Sequence, residues 1–200
     1  MTDAQAREAA LEAADQLFYE RGIRSVRMEE VRDASGVSLK RLYKLFPTKD
    51  RLAGEALRRR ETAFVSALRA YVRTRRTPRS RVLALFDYLA DWSHEPDFRG
   101  CAFINAFGEM SATSACVLAA VQSQKRSLRE LVGSLVREAG GTDALADQVT
   151  MLFNGATVSA AMLGDDRAAA RAKQAVNVLL ASGEDRPVGP AIGAPTRARR

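Results

Sequence analysis

The residues best suited to chemistry are bunched between Arg27 and Lys49, and the chemistry they suit is non-covalent. Ser38, Leu39, Lys40, Arg41, Tyr43 and Lys44 follow one another with hardly a gap. A serine at a helix start, with the free backbone N–H groups beside it, suits a phosphate. Lys40 and Arg41 can reach the O6 and N7 of a guanine, and Leu39 can meet a thymine methyl. Lys44 projects from the same face, and Tyr43 and Lys49 are placed to touch the flanking phosphate backbone. Covalent chemistry has poorer material. The chain has one histidine, His94, and two cysteines, Cys101 and Cys116. These form no nucleophile–base pair at a recognisable spacing, no disulfide scaffold and no zinc cluster. His94, Glu95 and Asp97 crowd a single Pro-containing turn, which makes a poor tetrahedron. Asp165-Asp166 reads as helix-capping chemistry, and no glycine loop cradles a phosphate. No enzyme activity, metal or cofactor is expected.

The elements that must position these groups are helices. Met28 to Ser35 reads as a helix of two turns, with Glu29 and Glu30 in its first turn where the dipole favours acids. Gly36-Val37-Ser38 breaks it, and residues 39–46 resume the helical pattern until Pro47. Two short helices across a three-residue, glycine-bearing turn are the geometry of a helix-turn-helix, here residues 28–46. Gly36 supplies the left-handed backbone the turn needs. Val31, Val37 and Leu42 form the wedge of core that sets the interhelical angle. Ahead of this unit, Ala10, Ala13, Ala14, Leu17 and Phe18 line one face of a further helix. Thr2 and Gln5 have capping-box spacing at its start, and Gly22 suits a left-handed stop.

The rest of the chain is helical too. A long helix runs from about Lys49 to about Arg73, capped by Thr48, and Thr77-Pro78 opens another. A stretch from Cys101 to Met110 precedes a helix over about 115–139, and two more follow over 142–163 and 167–181. No segment alternates apolar and polar residues as a strand does. The fold class is all-α. The length suits a small domain, residues 1–53, leaning on a larger helical one, 54–182, and residues 183–200 read as a disordered basic tail. The longest uncharged run, residues 148–164, is too short and too polar for a membrane span, and a buried helix is the better reading. Met1–Ala14 lacks the apolar core of a signal peptide, so a cytoplasmic protein with reduced thiols is expected.

Charge sharpens the picture. The 200 residues carry 31 Lys and Arg against 24 Asp and Glu, a net +7 that favours an anionic partner. The excess is local: residues 32–60 hold nine basic residues against three acidic ones, whereas residues 1–31 hold four against seven.

Residues Ala9-Ala10, Leu17-Phe18, Gly22, Val31, Gly36-Val37-Ser38, Leu42-Tyr43, Phe46, Lys49 and Leu52 resemble, in order and spacing, the DNA-binding domain of the TetR family of bacterial transcriptional repressors. The likeness covers about residues 5–53. Three positions depart from the usual pattern. Val26 and Arg27 stand where Thr or Ser is common, Arg32 where Ala is usual, and Leu45 where His or Tyr is common. Arg27 could supply a charged replacement for the lost hydroxyl contact to phosphate. The resemblance implies a three-helix reading head, a larger C-terminal helical domain for ligand binding and dimerisation, and a homodimer on double-stranded operator DNA. Its two recognition helices would lie roughly 34–36 Å apart, or a multiple of that, on a pseudo-palindrome.

The last two helices look like the family's dimer bundle. Gly155, Ala156, Ser159, Ala160 and Ala161, and the alanines at 168, 169, 170, 172 and 175, would let like helices approach closely, although intramolecular packing would use them equally well. In this family the middle of the chain encloses a cavity for a small-molecule effector. Phe64, Phe86, Tyr88, Trp92, Phe103, Phe107, Met110 and Met151 are its candidate apolar walls, with Cys101, Asn105 and Asn154 as polar handles. An aromatic stripe at helical spacing equally describes plain core. Phe98 and Phe153 belong to the same aromatic stretch, and His94 is a further possible handle.

The function expected from these features is a repressor that releases its operator when an apolar or aromatic ligand binds. Three alternatives stay open: a thiol-based sensor of electrophiles or oxidants, with Arg99 beside Cys101; an activator on the same scaffold; and a basic module that binds an acidic protein or lipid surface. No membrane partner is expected from the sequence.

Overall fold

The computed structural model describes residues 1–182. The tail expected at 183–200 lies outside the described residues. Among them are nine helices and no strand: α1 Asp3–Arg21, α2 Met28–Ser35, α3 Leu39–Leu45, α4 Lys49–Arg73, α5 Pro78–Ser93, α6 Ala102–Met110, α7 Ala115–Glu138, α8 Asp143–Leu163 and α9 Ala168–Ser182. None is long and apolar enough to cross a membrane.

Helix starts follow the local chemistry of the chain. Thr2 and Gln5 exchange side-chain and backbone hydrogen bonds at the start of α1, a complete capping box. Thr48, Thr77, Ser114 and Thr142 each accept a backbone N–H at the start of their helices. Several helix ends shift by one residue from expectation, and two of the stops have a physical reason. Helix α3 stops at Leu45 because Phe46, which precedes Pro47, takes an extended conformation (φ −135°, ψ 94°). Gly22 has a positive φ of 85°, but its ψ of 148° lies outside the left-handed helical basin. A side chain would be crowded there, since a Cβ on Gly22 would stand 3.0 Å from Glu109 Oε1.

Two apolar cores organise the molecule. The first joins α1, α2, α3 and the start of α4 to Phe103, Ala106 and Met110 of α6 and to Val117, Ala120 and Val121 of α7. The second joins the end of α4 to α5, α7, α8 and α9. Helix α4 is continuous through residue 53 and serves both, packing along α7 for much of its length. Helix α8 is buried on one side only, through Leu145, Ala146, Val149, Phe153, Ala156 and Thr157. Its other side leaves Met151, Met162 and Leu163 exposed in the single chain. The small residues divide in the same way. Ala156, Ala168, Ala169 and Ala172 are buried within the chain, whereas Gly155, Ala161 and Ala170 are exposed.

Candidate nucleic-acid interface and internal cavity

The helix-turn-helix is built from a few decisive residues. Gly36 adopts the left-handed conformation (φ 67°, ψ 12°) and its N–H closes α2 onto Arg32 O at 2.9 Å. Val31, Val37 and Leu42 are fully buried and wedge α2 against α3. With Leu42 inward, the opposite side of α3 must face out. Ser38, Lys40, Tyr43 and Lys44 are exposed there. Ser38 caps α3 through its backbone alone, so its hydroxyl makes no capping bond. Leu39 is half-buried against the first core. Arg41 is half-buried as well: its guanidinium donates to Asp3 and to the Met1 carbonyl. Lys44 Nζ stands 3.5 Å from the same aspartate.

Arg27 and Lys49 have different surroundings. The Arg27 side chain points into solvent while its backbone N–H donates to Glu30 Oε2 at 2.7 Å. That hydrogen bond is the main cause that holds the Glu30 carboxyl below its ordinary range, followed by one from Arg21. Lys49 is turned inward. Its ammonium donates to the carbonyls of Ile23, Arg24 and Val26 at 2.9, 3.2 and 2.9 Å, and so ties the α1–α2 connection to the start of α4. The sequence suggested a backbone contact for Lys49; the structure gives its charge an internal task, because the three carbonyls of that connection converge on it.

The reading head is also latched to the body. The Tyr19 hydroxyl donates to Gly100 O at 3.0 Å and accepts from Arg99 N at 2.8 Å, while Arg24 N donates to Glu109 Oε2 at 2.9 Å. Arg60 of α4 lies 4.3 Å above the Tyr19 ring and forms a two-point ion pair with Asp15. Burial pushes the Tyr19 phenol up from its ordinary range.

Behind this latch lies a cavity of about 500 Å³ walled by α4, α5, the start of α6, α7 and α8. Six of the residues expected around a pocket line it: Phe64, Tyr88, Trp92, Cys101, Phe103 and Asn154. Five do not. Phe86 is buried beside the cavity with its ring 6.0 Å from Phe153, and Met110 is buried in the first core. Asn105 is turned to the Arg99 carbonyl at 3.0 Å, and Phe107 is exposed. Met151 sits on the open face of α8. A 3.6-residue repeat separates inside from outside, and these five sit on helix faces that turn away from the cavity.

Sequence reasoning missed the polar half of the wall. Gln124, Lys125, Thr157, Tyr71, Asp91 and Arg60 all line the cavity. Gln124 carried a readable signal, for it interrupts the apolar stripe Val117, Ala120, Val121, Leu128 at a core position, and it is 2% exposed. Its Oε1 is sealed from solvent without a hydrogen-bond partner. Lys125 donates to Asn154 Oδ1 at 2.8 Å and stands 3.7 Å from Cys101 Sγ. The cation placed beside the Cys101 thiol is thus Lys125, whereas the Arg99 backbone bonds Tyr19. Tyr71 donates to Asp91 Oδ2 at 2.5 Å, and that bond is the main cause raising its phenol to about 12. Burial raises Tyr88.

A helix-turn-helix carried on a larger helical body places the molecule in the helix-turn-helix class of DNA-binding proteins. Residues 10–56 match the family model for bacterial regulatory proteins of the tetR family, and residues 78–176 match the tetracyclin repressor-like C-terminal domain. The chain belongs to the TetR family of bacterial transcriptional regulators. Over 136 residues, 66% of its length, it is 31% identical to the HTH-type transcriptional activator FasR of Mycolicibacterium smegmatis, and the match spans 59% of that relative. A TetR transcriptional regulator of Streptomyces avermitilis is 29% identical, with TM-score 0.80 over 90% of this chain and 98% of that one. One from Streptomyces coelicolor is 28% identical, with TM-score 0.77 over 91% and 97%. Reduced NemR of Escherichia coli shares the fold at 19% identity, with TM-score 0.79 over 86% and 94%.

Proposed function

We propose that the protein is a cytoplasmic repressor that grips a pseudo-palindromic operator as a homodimer and releases it when a small apolar or aromatic molecule enters the cavity. The observation that carries this reading is the outer side of α3, where Ser38, Lys40, Tyr43 and Lys44 stand exposed over a fully buried Val31–Val37–Leu42 wedge. That surface has the size and charge to enter a major groove. Pairing through α8 and α9 is supported by the uncovered Met151, Met162, Leu163 and Val178. It would set two recognition helices on successive turns of one DNA face, roughly 34–36 Å apart.

Release follows from shared walls. Cys101, Ala102 and Phe103 border the cavity at the start of α6, and Glu109 near the end of that helix holds the reading head through Arg24 N. A ligand that shifts α6 therefore shifts the head, and ligand and DNA must weaken each other reciprocally. Selection of bound fragments from genomic and random DNA tests the reading. One enriched pseudo-palindrome is expected. Equal recovery of all sequences would leave only a basic interaction module.

Two further readings each have an observation behind them. The relative from Mycolicibacterium smegmatis is named an activator, so transcription in vitro from a promoter bearing the selected site decides the sign of control. Lys125 Nζ, 3.7 Å from the half-buried Cys101 Sγ, is the observation behind a sensor of electrophiles. Cys101→Ser would then keep DNA binding but lose release by N-ethylmaleimide, and unchanged release would end that reading.

A further inference from the structure

We infer that the cavity takes an aromatic acid that carries a hydrogen-bond donor close to its carboxylate; this rests on the ligand-responsive reading above. The first observation is Gln124. Packed between Ala120 and Leu128 along α7, it is buried where leucine or methionine would fill the space without cost. Its Oε1 has no hydrogen-bond partner among the described residues, and an acceptor left unpaired in a dry wall destabilises the empty protein. Gln124 lines the cavity, and a half-turn of its amide presents Oε1 there, where a ligand N–H or O–H would supply the missing bond.

The second observation is the next residue. Lys125 brings a half-buried ammonium to the same wall, and the partners it has there, Asn154 Oδ1 and Cys101 Sγ, are a neutral amide and a thiol. The other cations lining the cavity are matched: Arg60 with Asp15 and Arg59 with Glu8. A carboxylate is the group that Lys125 lacks. An amine would meet it with like charge, and a neutral molecule would leave the charge unbalanced in a half-dry site. Asp91 and Glu95 line the exposed side of the cavity, so an acid binds with its carboxylate turned away from them and toward Lys125.

The remaining walls favour a flat body. Phe64 lies edge-on to Tyr88 at 6.0 Å and tilted to Trp92 at 6.1 Å, and Phe103 and Phe153 close the sides. A volume of about 500 Å³ holds one such molecule.

Calorimetry on the full chain without DNA tests this with four probes on one skeleton: indole-2-carboxylate, its N-methyl analogue, its methyl ester, and 2-(aminomethyl)indole. The acid is expected to bind at least about tenfold more tightly than the ester, a difference set by one charge-assisted bond. The N-methyl acid should bind several-fold more weakly, and the amine should not bind. Lys125→Met should erase the preference for acid over ester. Gln124→Met should erase the preference for N–H over N-methyl and leave the melting temperature equal or higher. An ester or amine that binds as well as the acid overturns the inference, as do preferences that survive both substitutions or a panel in which no acid binds at millimolar concentration. No DNA is present, so this outcome is independent of whether an operator exists.

Discussion

Arg41 of the recognition helix is held by Asp3 of α1: its Nε and Nη2 both donate to Oδ1, at 3.0 and 2.7 Å, and Nη2 also donates to the Met1 carbonyl at 2.9 Å. The Arg41 hydrogen bond, reinforced by the charge of Lys44, keeps the Asp3 carboxyl below its ordinary range. On the proposed function, this carboxylate competes with DNA for the Arg41 guanidinium. With Arg41 half-buried but Asp3 open to water, the pair adds little to folding, so its consequence falls on binding. Asp3→Asn should tighten binding to any duplex by roughly threefold to tenfold at low salt, measured by fluorescence anisotropy. Arg41→Ala should instead reduce discrimination between the selected operator and random DNA by about 1–3 kcal/mol.

Lys49 gives the contrasting case. With three carbonyls on its ammonium, Lys49→Met should cost about 2 kcal/mol of stability in urea unfolding and leave the salt dependence of DNA binding unchanged. A salt slope lowered by about one, with stability intact, would restore the phosphate role suggested by the sequence.

Gly22 stands at the junction of head and body with φ 85°, and an added Cβ would press on the Glu109 carboxylate. Gly22→Ala is expected to destabilise the protein by about 1–2 kcal/mol. Gly108 has open space around it and lies within α6, so Gly108→Ala should be neutral or stabilising, and thermal melts of the two variants make the comparison.

Tyr71 sets an alkaline limit. Its folded pKa of about 12 exceeds the ordinary value of 10.0, so the neutral phenol bonded to Asp91 is the favoured form. The stability it contributes is complete below pH 10.0 and disappears as pH rises through about 12. Absorbance at 295 nm should show Tyr71 ionising late along with Tyr19 and Tyr88, and Asp91→Asn should bring Tyr71 alone back toward ordinary behaviour.

The open face of α8 and α9 makes a prediction about size. Met151 and Met162 are 64% and 80% exposed, so lysine at both positions leaves the core untouched. Light scattering should find a dimer for the parent chain and a monomer for Met151→Lys/Met162→Lys. Two monomers, or two dimers, would show that this face is not where the chains meet.

Residue sequence by itself determined the helical class, most helix boundaries and the helix-turn-helix, because each depends on neighbours within one or two turns. A threonine three residues before its backbone donor, a glycine at the α2–α3 turn and a proline after Phe46 act locally, wherever the rest of the chain lies. The aromatic composition of the cavity wall could be read as well, through Phe64, Tyr88, Trp92 and Phe103. Tertiary structure alone decided which faces meet. It gave Lys49 three carbonyls to hold, set Asp3 against Arg41 across 38 positions, and brought Lys125 to Cys101 across 24. Helical periodicity tells which residues share a face, but the rotation of each helix against its neighbours comes from packing two cores at once along α4. For that reason Phe107 and Met151 turned outward while Gln124, a polar residue in an apolar stripe, turned into the wall.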